Sequence, residues 1–203
     1  MKILKITEEV YSWAYALTPR TVTTDLILHH EAAKGTTPQQ IHAYHLSKGW
    51  AGIAYHYFVR QNGTIYRGRP ETMCGGHTAN YNYCSIGICF EGNFENEYMC
   101  DAQLEAGQAL VEDIVKRYPS IHVGKHKDYN ATACPGMNFP FTYIANPVKG
   151  TPEDELKADE DTPSEWAREA WAWAMKKGIT DGTKPHDTVT REQAATMLWR
   201  EAK

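Results

Sequence analysis

The sequence predicts an α/β domain with a mixed central β-sheet flanked by helices, followed by a small C-terminal all-helical domain. Three observations carry this. Short apolar or alternating runs recur at 26–28, 54–60, 64–67 and 85–91, separated by turn residues. Between and after them lie capped stretches with helical spacing, and strands interleaved with helices indicate layered α/β packing. The composition then breaks at 148–161 into a polar, acid-rich stretch, beyond which the helical patterns carry tryptophans.

In chain order, Leu26-Ile27-Leu28 is a continuous apolar run, which suits a strand buried on both faces. His29 and His30 follow it and must point to opposite faces of an extended chain, so one of them at most joins a given site. Thr37-Pro38-Gln39-Gln40 combines a capping hydroxyl, proline at the first helical position and glutamine at the third. It opens a helix that ends near Gly49. Residues 54–60 alternate, with Tyr55, Tyr57 and Val59 on one face and His56, Phe58 and Arg60 on the other. Asn62-Gly63 turns this strand back into 64–67. Residues 85–91 read as another strand. Asp101 caps a longer helix striped by Leu104, Val111, Ile114, Val115 and Tyr118 and stopped by Pro119.

Residues 148–161 have the composition of a linker, with Val148 and Leu156 as the large apolar residues. After it, Thr162-Pro163-Ser164-Glu165 forms a capping box ahead of Trp166, Ala170, Trp173 and Ala174 on one stripe, closed by Gly178. Thr190-Arg191-Glu192-Gln193 opens a second helix carrying Ala194, Met197 and Leu198. The expected organisation is therefore an α/β domain over 1–147, a linker over 148–161 and a helical domain over 162–203. At helical spacing, Trp166 and Trp173 read as the core of that small domain. About forty residues hold a single core poorly alone, so the segment needs something to pack against.

Composition removes several function classes. Twenty-one basic against 25 acidic residues give a net charge of −4, against the basic excess of a nucleic-acid binder. No stretch approaches the roughly 18 apolar residues of a membrane span. The N-terminal residues lack an apolar core for a signal peptide and carry acidic groups early, which predicts synthesis and folding in a cytoplasm. Five cysteines, an odd number without framework spacing, agree with a reducing compartment.

The chemistry-bearing residues are His29 at the end of the apolar run, and His126 with Cys134 eight positions further on in Lys-His-Lys-Asp-Tyr-Asn-Ala-Thr-Ala-Cys-Pro-Gly (125–136). Imidazole and thiolate together suit zinc, and three protein ligands leave a fourth tetrahedral position for water, the arrangement of catalytic sites. On spacing alone, a polar histidine pair near a buried cysteine accounts for the same residues.

The wider text is more specific. Leu-Ile-Leu-His-His (26–30), Gly-Trp-Ala-Gly-Ile-Ala-Tyr-His-Tyr-Phe-Val (49–59), Asn-Gly-Thr-Ile-Tyr-Arg-Gly-Arg (62–69), Gly-Gly-His-Thr (75–78), Asn-Tyr-Cys-Ser-Ile-Gly-Ile-Cys-Phe-Glu-Gly (82–92) and the His126…Cys134-Pro-Gly segment occur in that order. Together they resemble the zinc-dependent N-acetylmuramoyl-L-alanine amidases, the family of amidase-type phage lysozymes and peptidoglycan-recognition proteins. The resemblance implies a Zn²⁺ ion held by His29, His126 and Cys134, and cleavage of the lactyl–L-alanine amide of peptidoglycan. It implies a catalytic tyrosine at Tyr55 and a neutral oxyanion donor at Thr132, where other members carry lysine or threonine. It also implies that His77 lies on a loop bordering the substrate groove, as a substrate contact or a support for the leaving group. A loop histidine without a role fits His77 equally, and core packing is the plain alternative for Tyr55.

Some relatives place a basic glutamate on the strand at the position of Cys89; Glu91, two residues on, is not expected to replace it. His30, His42, His45, His56, His122 and His186 read as structural or solvated. Cys74, Cys84, Cys89 and Cys100 read as ordinary small residues. Residues 162–203 resemble a single S-layer-homology repeat in Glu-Trp-Ala-Arg-Glu-Ala (165–170), Lys-Gly-Ile-Thr-Asp-Gly-Thr (177–183) and Val-Thr-Arg-Glu-Gln-Ala (189–194). That implies binding to a secondary wall polymer or homo-oligomerisation. The expectation is an endolysin that acts on bacterial peptidoglycan after release from the cytoplasm. A muropeptide-recycling amidase and a non-catalytic peptidoglycan-binding protein are the rivals. The anchor-like tail speaks against the first, and the presence of Cys134 against the second.

Overall fold

The computed structural model describes residues 4–146 and, beyond them, residues 171, 173, 174, 176 and 177. The elements in order are β1 (Ile6–Thr7), β2 (Asp25–His30), α1 (Pro38–Ser47), β3 (Tyr57–Val59), β4 (Ile65–Arg67), β5 (Ser85–Phe90), α2 (Asp101–Arg117), β6 (His122–Lys125) and α3 (Phe141–Ala145). Among the described residues the strands form one six-stranded sheet in the order β1-β4-β3-β5-β2-β6. The β3–β4 hairpin is antiparallel and the other pairings are parallel, so the sheet is mixed as expected.

β2 lies inside the sheet between β5 and β6, and Leu26, Ile27 and Leu28 are fully buried. One face of the sheet packs Leu26, Leu28, Tyr57, Val59, Ile86, Ile88 and Phe90 against Leu110, Val111 and Ile114 of α2 and Ile144 of α3. The other face packs Phe58 and Cys89 against Ile41 of α1 and Ile53. The helices therefore cover both faces of a largely parallel sheet, which explains why β2 reads as an unbroken apolar run.

The capping box of α1 forms as written in the sequence: Gln40 N–H donates to Thr37 Oγ1 at 3.2 Å, and Thr37 N–H to Gln40 Oε1 at 2.8 Å. Gly63 turns the β3–β4 hairpin with φ of +80°, a backbone conformation that favours glycine.

Three local expectations are corrected. β3 begins at Tyr57 rather than residue 54, so the alternation breaks and Tyr55 packs on the Phe58 side, not with Tyr57 and Val59. α2 is capped by Cys100, without a side-chain capping bond, and Asp101 is its first helical residue. Its buried stripe is Gln103, Gly107, Leu110, Val111 and Ile114, whereas Leu104, Val115 and Tyr118 lie at the margin. A polar and a glycine residue can face the core for specific reasons. Gln103 Nε2 donates to the carbonyls of Val59 and Glu91, and a Cβ at residue 107 would stand 2.6 Å from the Phe90 ring. β1, β6 and α3 carry too short an apolar pattern to be read from sequence.

The linker over 148–161 lies outside the described residues, as do most of 162–203. Trp171, Trp173, Ala174 and Lys176 are helical. Trp173 is 49% exposed, which differs from the core position expected of it.

Candidate metal centre

β2 and β6 run parallel, with Leu28 opposite Lys125, so their C-terminal ends emerge on one edge. His29 is the fifth residue of β2, and His126 opens a short 3₁₀ turn directly after β6. The chain then loops back to Cys134, whose carbonyl accepts from Lys127 N–H at 2.9 Å. This brings together residues about a hundred positions apart: the donor atoms of His29, His126 and Cys134 all lie within 4.8 Å of one another. Among the described residues they are the one such group of three. His30 points to the other face, as the strand geometry requires, and its Nδ1 accepts from Phe94 N–H at 3.2 Å.

The donor set fits zinc. Tetrahedral zinc with bonds of about 2.0–2.3 Å holds donors about 3.3–3.6 Å apart, and Cys134 Sγ is already 3.8 Å from His29 Nδ1. Burial first, then the neighbouring His126 and His30, hold His29 well below the usual histidine pKa, in the neutral form that binds a metal. Burial pushes the Cys134 thiol up to about 11, while the His30 N–H, 3.3 Å from the sulfur, favours the thiolate. Each histidine also has an outer partner. His126 Nε2 meets Asn130 Oδ1 at 3.3 Å, and His29 Nε2 meets His77 Nδ1 at 3.0 Å. Asn130 was missed from sequence; its signal is its position four residues after His126, within reach of the same turn.

Tyr55 lies beside the centre, its ring centroid 5.3 Å from that of His29. Burial, then Cys89 and Cys134, raise its pKa well above the usual value, so it stays a phenol and a hydrogen-bond donor. Thr132 is exposed on the loop, and its Oγ1 accepts from Cys134 N–H at 3.2 Å, which leaves its own proton available. A groove of about 550 Å³ passes Tyr55 and is lined by Glu31, Lys34, Thr36, Tyr44 and His45 among others. Glu31 was not singled out from sequence. Burial lifts its pKa to about 7, and its Oε2 is buried without a hydrogen-bond partner.

His77 is drawn into the same cluster. It is 7% exposed and packed behind His29, with both ring nitrogens engaged by His29, Thr78 and Ser85.

The remaining candidates hold the scaffold. His42, His45 and His56 accept backbone N–H groups of Ile53, Ala54 and Gly87, and burial lowers His45 and His56 to about 4. Glu91 is bound by Arg60 through two contacts of 2.8 and 3.1 Å and by the N–H groups of Gln61 and Gly35. Burial opposes its charge, but those bonds outweigh it and lower its pKa, so it is a structural carboxylate. His122 is exposed, and His186 lies outside the described residues. Cys74, Cys84, Cys89 and Cys100 are free thiols.

Residues 19–137 match the family model described as N-acetylmuramoyl-L-alanine amidase. The chain is 36% identical over 124 residues to peptidoglycan-recognition protein SC2 of Drosophila melanogaster, covering 55% of this chain and 67% of that one. It is 29% identical over 126 residues to the endolysin of Escherichia phage T7, covering 57% and 82%. Among solved structures, the endolysin N-acetylmuramoyl-L-alanine amidase LysCS from Clostridium intestinale superposes with a TM-score of 0.70 at 38% identity, over 74% of this chain and 99% of that one.

Proposed function

The chain belongs to the N-acetylmuramoyl-L-alanine amidase family, and we propose that it is a zinc-dependent endolysin. It cleaves the peptidoglycan amide between N-acetylmuramic acid and L-alanine. The observation that carries the reading is the convergence of His29, His126 and Cys134 beside Tyr55, whose ring also lines a groove.

Zinc held by these three side chains would polarise the scissile carbonyl and supply a nucleophilic water at neutral pH. The chain's own residues do the rest. The groove seats the stem peptide beside Tyr55 and positions its first amide against the centre. Tyr55, kept protonated by burial, donates to the oxygen on which negative charge develops. Thr132 donates a second, weaker hydrogen bond from its hydroxyl. His77 and Asn130 hold the ligand rings in place from behind.

In the same reading, 1–147 is the catalytic unit and 148–161 a tether. Residues 162–203, resembling one S-layer-homology repeat, form a wall-polymer-binding or self-associating module. The protein is made in a bacterial host and acts on the wall after release. Among the described residues no helix is long and apolar enough to cross a membrane.

Metal analysis of the purified chain, with a digest of isolated walls scored for new N-terminal alanine, tests the reading. One zinc per chain and release of alanine amino groups are expected. Cys134→Ser is expected to lose most of the zinc and all lysis; a variant that keeps both refutes the ligand set.

A further inference from the structure

We propose that His77 is a positioning residue that sets the tautomer of His29, so that Nδ1 and not Nε2 is the bare nitrogen offered to the metal. This rests on the reading of His29 as a ligand. The direction of the hydrogen bonds follows from their far end. The Tyr81 carbonyl can only accept, so the Ser85 hydroxyl, 2.6 Å away, commits its single proton there. Ser85 Oγ then accepts from His77 Nε2 at 3.4 Å, and His77 must carry its ring proton on Nε2. A neutral imidazole protonated on Nε2 has a bare Nδ1. That nitrogen accepts from His29 Nε2, 3.0 Å away. The proton of His29 is thereby placed on Nε2, and its bare Nδ1 lies 3.8 Å from Cys134 Sγ. The Thr78 hydroxyl, 2.9 Å from His77 Nδ1 and 3.4 Å from His29 Nε2, closes around the same contact.

A second observation shows that the fold makes room for this ring. A Cβ on Gly75 would stand 2.4 Å from His77 Cδ2, and a Cβ on Gly87 would stand 2.5 Å from the same atom. Neither glycine has the positive φ that would by itself call for glycine. Both residues lack a side chain because the His77 ring occupies that space. Gly87 belongs to β5, whose backbone is paired to β2, so the ring is seated against the sheet that carries His29. Metal-bound histidines generally donate their second ring N–H to a fixed outer partner, whose loss weakens metal binding about 10–100-fold. Here the outer partner is itself a histidine, with its polarity fixed by a backbone carbonyl two hydrogen bonds away.

Long-range ¹H–¹⁵N correlation of the imidazoles in the full chain reads the tautomers directly. His77 is expected as the Nε2–H form in both metal-free and zinc-loaded protein, and His29 likewise. An Nδ1–H His77 overturns the proposal. Zinc affinity, measured by competition with a chromogenic chelator, gives the second readout. His77→Leu is expected to weaken it about 10–100-fold. His77→Asn, which keeps an acceptor near the position of Nδ1, is expected to recover most of the loss. Ser85→Ala, which touches neither His29 nor the metal, is expected to cause a smaller loss. Equal affinities for the Leu and Asn variants, or an unchanged affinity in a folded His77→Leu protein, refute the role. Should His77→Leu not fold, the tautomers of the wild type and the affinity of Ser85→Ala decide. Cys134→Ser separates the two readings. Retained zinc there sinks the ligand set, whereas lost zinc there with unchanged affinity in His77→Leu sinks only the tautomer device.

Discussion

Tyr55 and Thr132 differ in what each has left to donate. Tyr55 is enclosed, and its phenol stays protonated because burial and two thiols oppose its charge. Thr132 is exposed, with its oxygen already accepting Cys134 N–H. Removing a buried oxyanion donor typically costs about 100–1000-fold in turnover. Tyr55→Phe is therefore expected to keep its zinc and fall by that order in wall digestion, and Thr132→Ala to fall less. Full turnover in Tyr55→Phe would return the residue to core packing. At this scale the candidate donor types and the family motifs were legible in the sequence, because imidazole, thiolate and phenol carry their chemistry with them. The role of His77 was not legible. A histidine in a Gly-Gly-His-Thr loop reads the same whether it faces a groove or the back of a ligand, and Ser85 and Gly87 reveal which only once β5 is laid beside β2.

At the scale of elements, α2 shows how pattern and position part company. Counting apolar residues starts the stripe at Leu104, yet the helix turns Gln103 and Gly107 inward. The cause lies elsewhere in the chain. The Glu91 carbonyl, just past β5, needs a donor, and Gln103 supplies it while adding a second bond to the Val59 carbonyl, which already accepts Glu91 N–H. Leaving a buried carbonyl unpaired costs about 1–3 kcal/mol. Gln103→Leu, more apolar though it is, is expected to lower stability by at least that amount in urea unfolding. A neutral or stabilising result would show that water replaces the amide. The capping box of α1, by contrast, was fully readable, because a cap involves four consecutive residues and no distant partner. Tyr55 lay on the wrong face in the sequence reading for the opposite reason: the start of β3 is set by its pairing with β4 and β5, which its own residues do not encode.

Across the whole molecule, Glu71 ties the loop after β4 to the end of α2. Burial opposes its charge, but hydrogen bonds from Arg117, Tyr57 and Tyr118 outweigh that and hold its carboxyl at about 2. Its pKa is lower folded than unfolded, so its contribution is present above about 4.5 and is lost as pH falls through about 2. Thermal melts across this window are expected to show a steeper acid loss in the wild type than in Glu71→Gln; parallel curves would refute the linkage. For the tail, truncation near residue 147 is expected to spare zinc content and turnover of small soluble muropeptides. It is expected to reduce retention on walls, about 100-fold or more if the tail acts by tethering, or to lower the mass seen in light scattering. Inactivity on small substrates would make the tail part of the catalytic fold.

By itself the sequence determined the α/β class, the family motifs that carry His29, His126 and Cys134, the capping box of α1, and the composition break near residue 148. These depend on local spacing and on the intrinsic chemistry of side chains. Tertiary structure alone decided the six-strand order, the rotation of α2, the face of Tyr55 and the chain of hydrogen bonds from Tyr81 to His29. Each of those depends on which backbone comes to lie against which. A hydrogen bond or a close approach between residues 48 positions apart, such as His29 and His77, exists only after the sheet has brought them together.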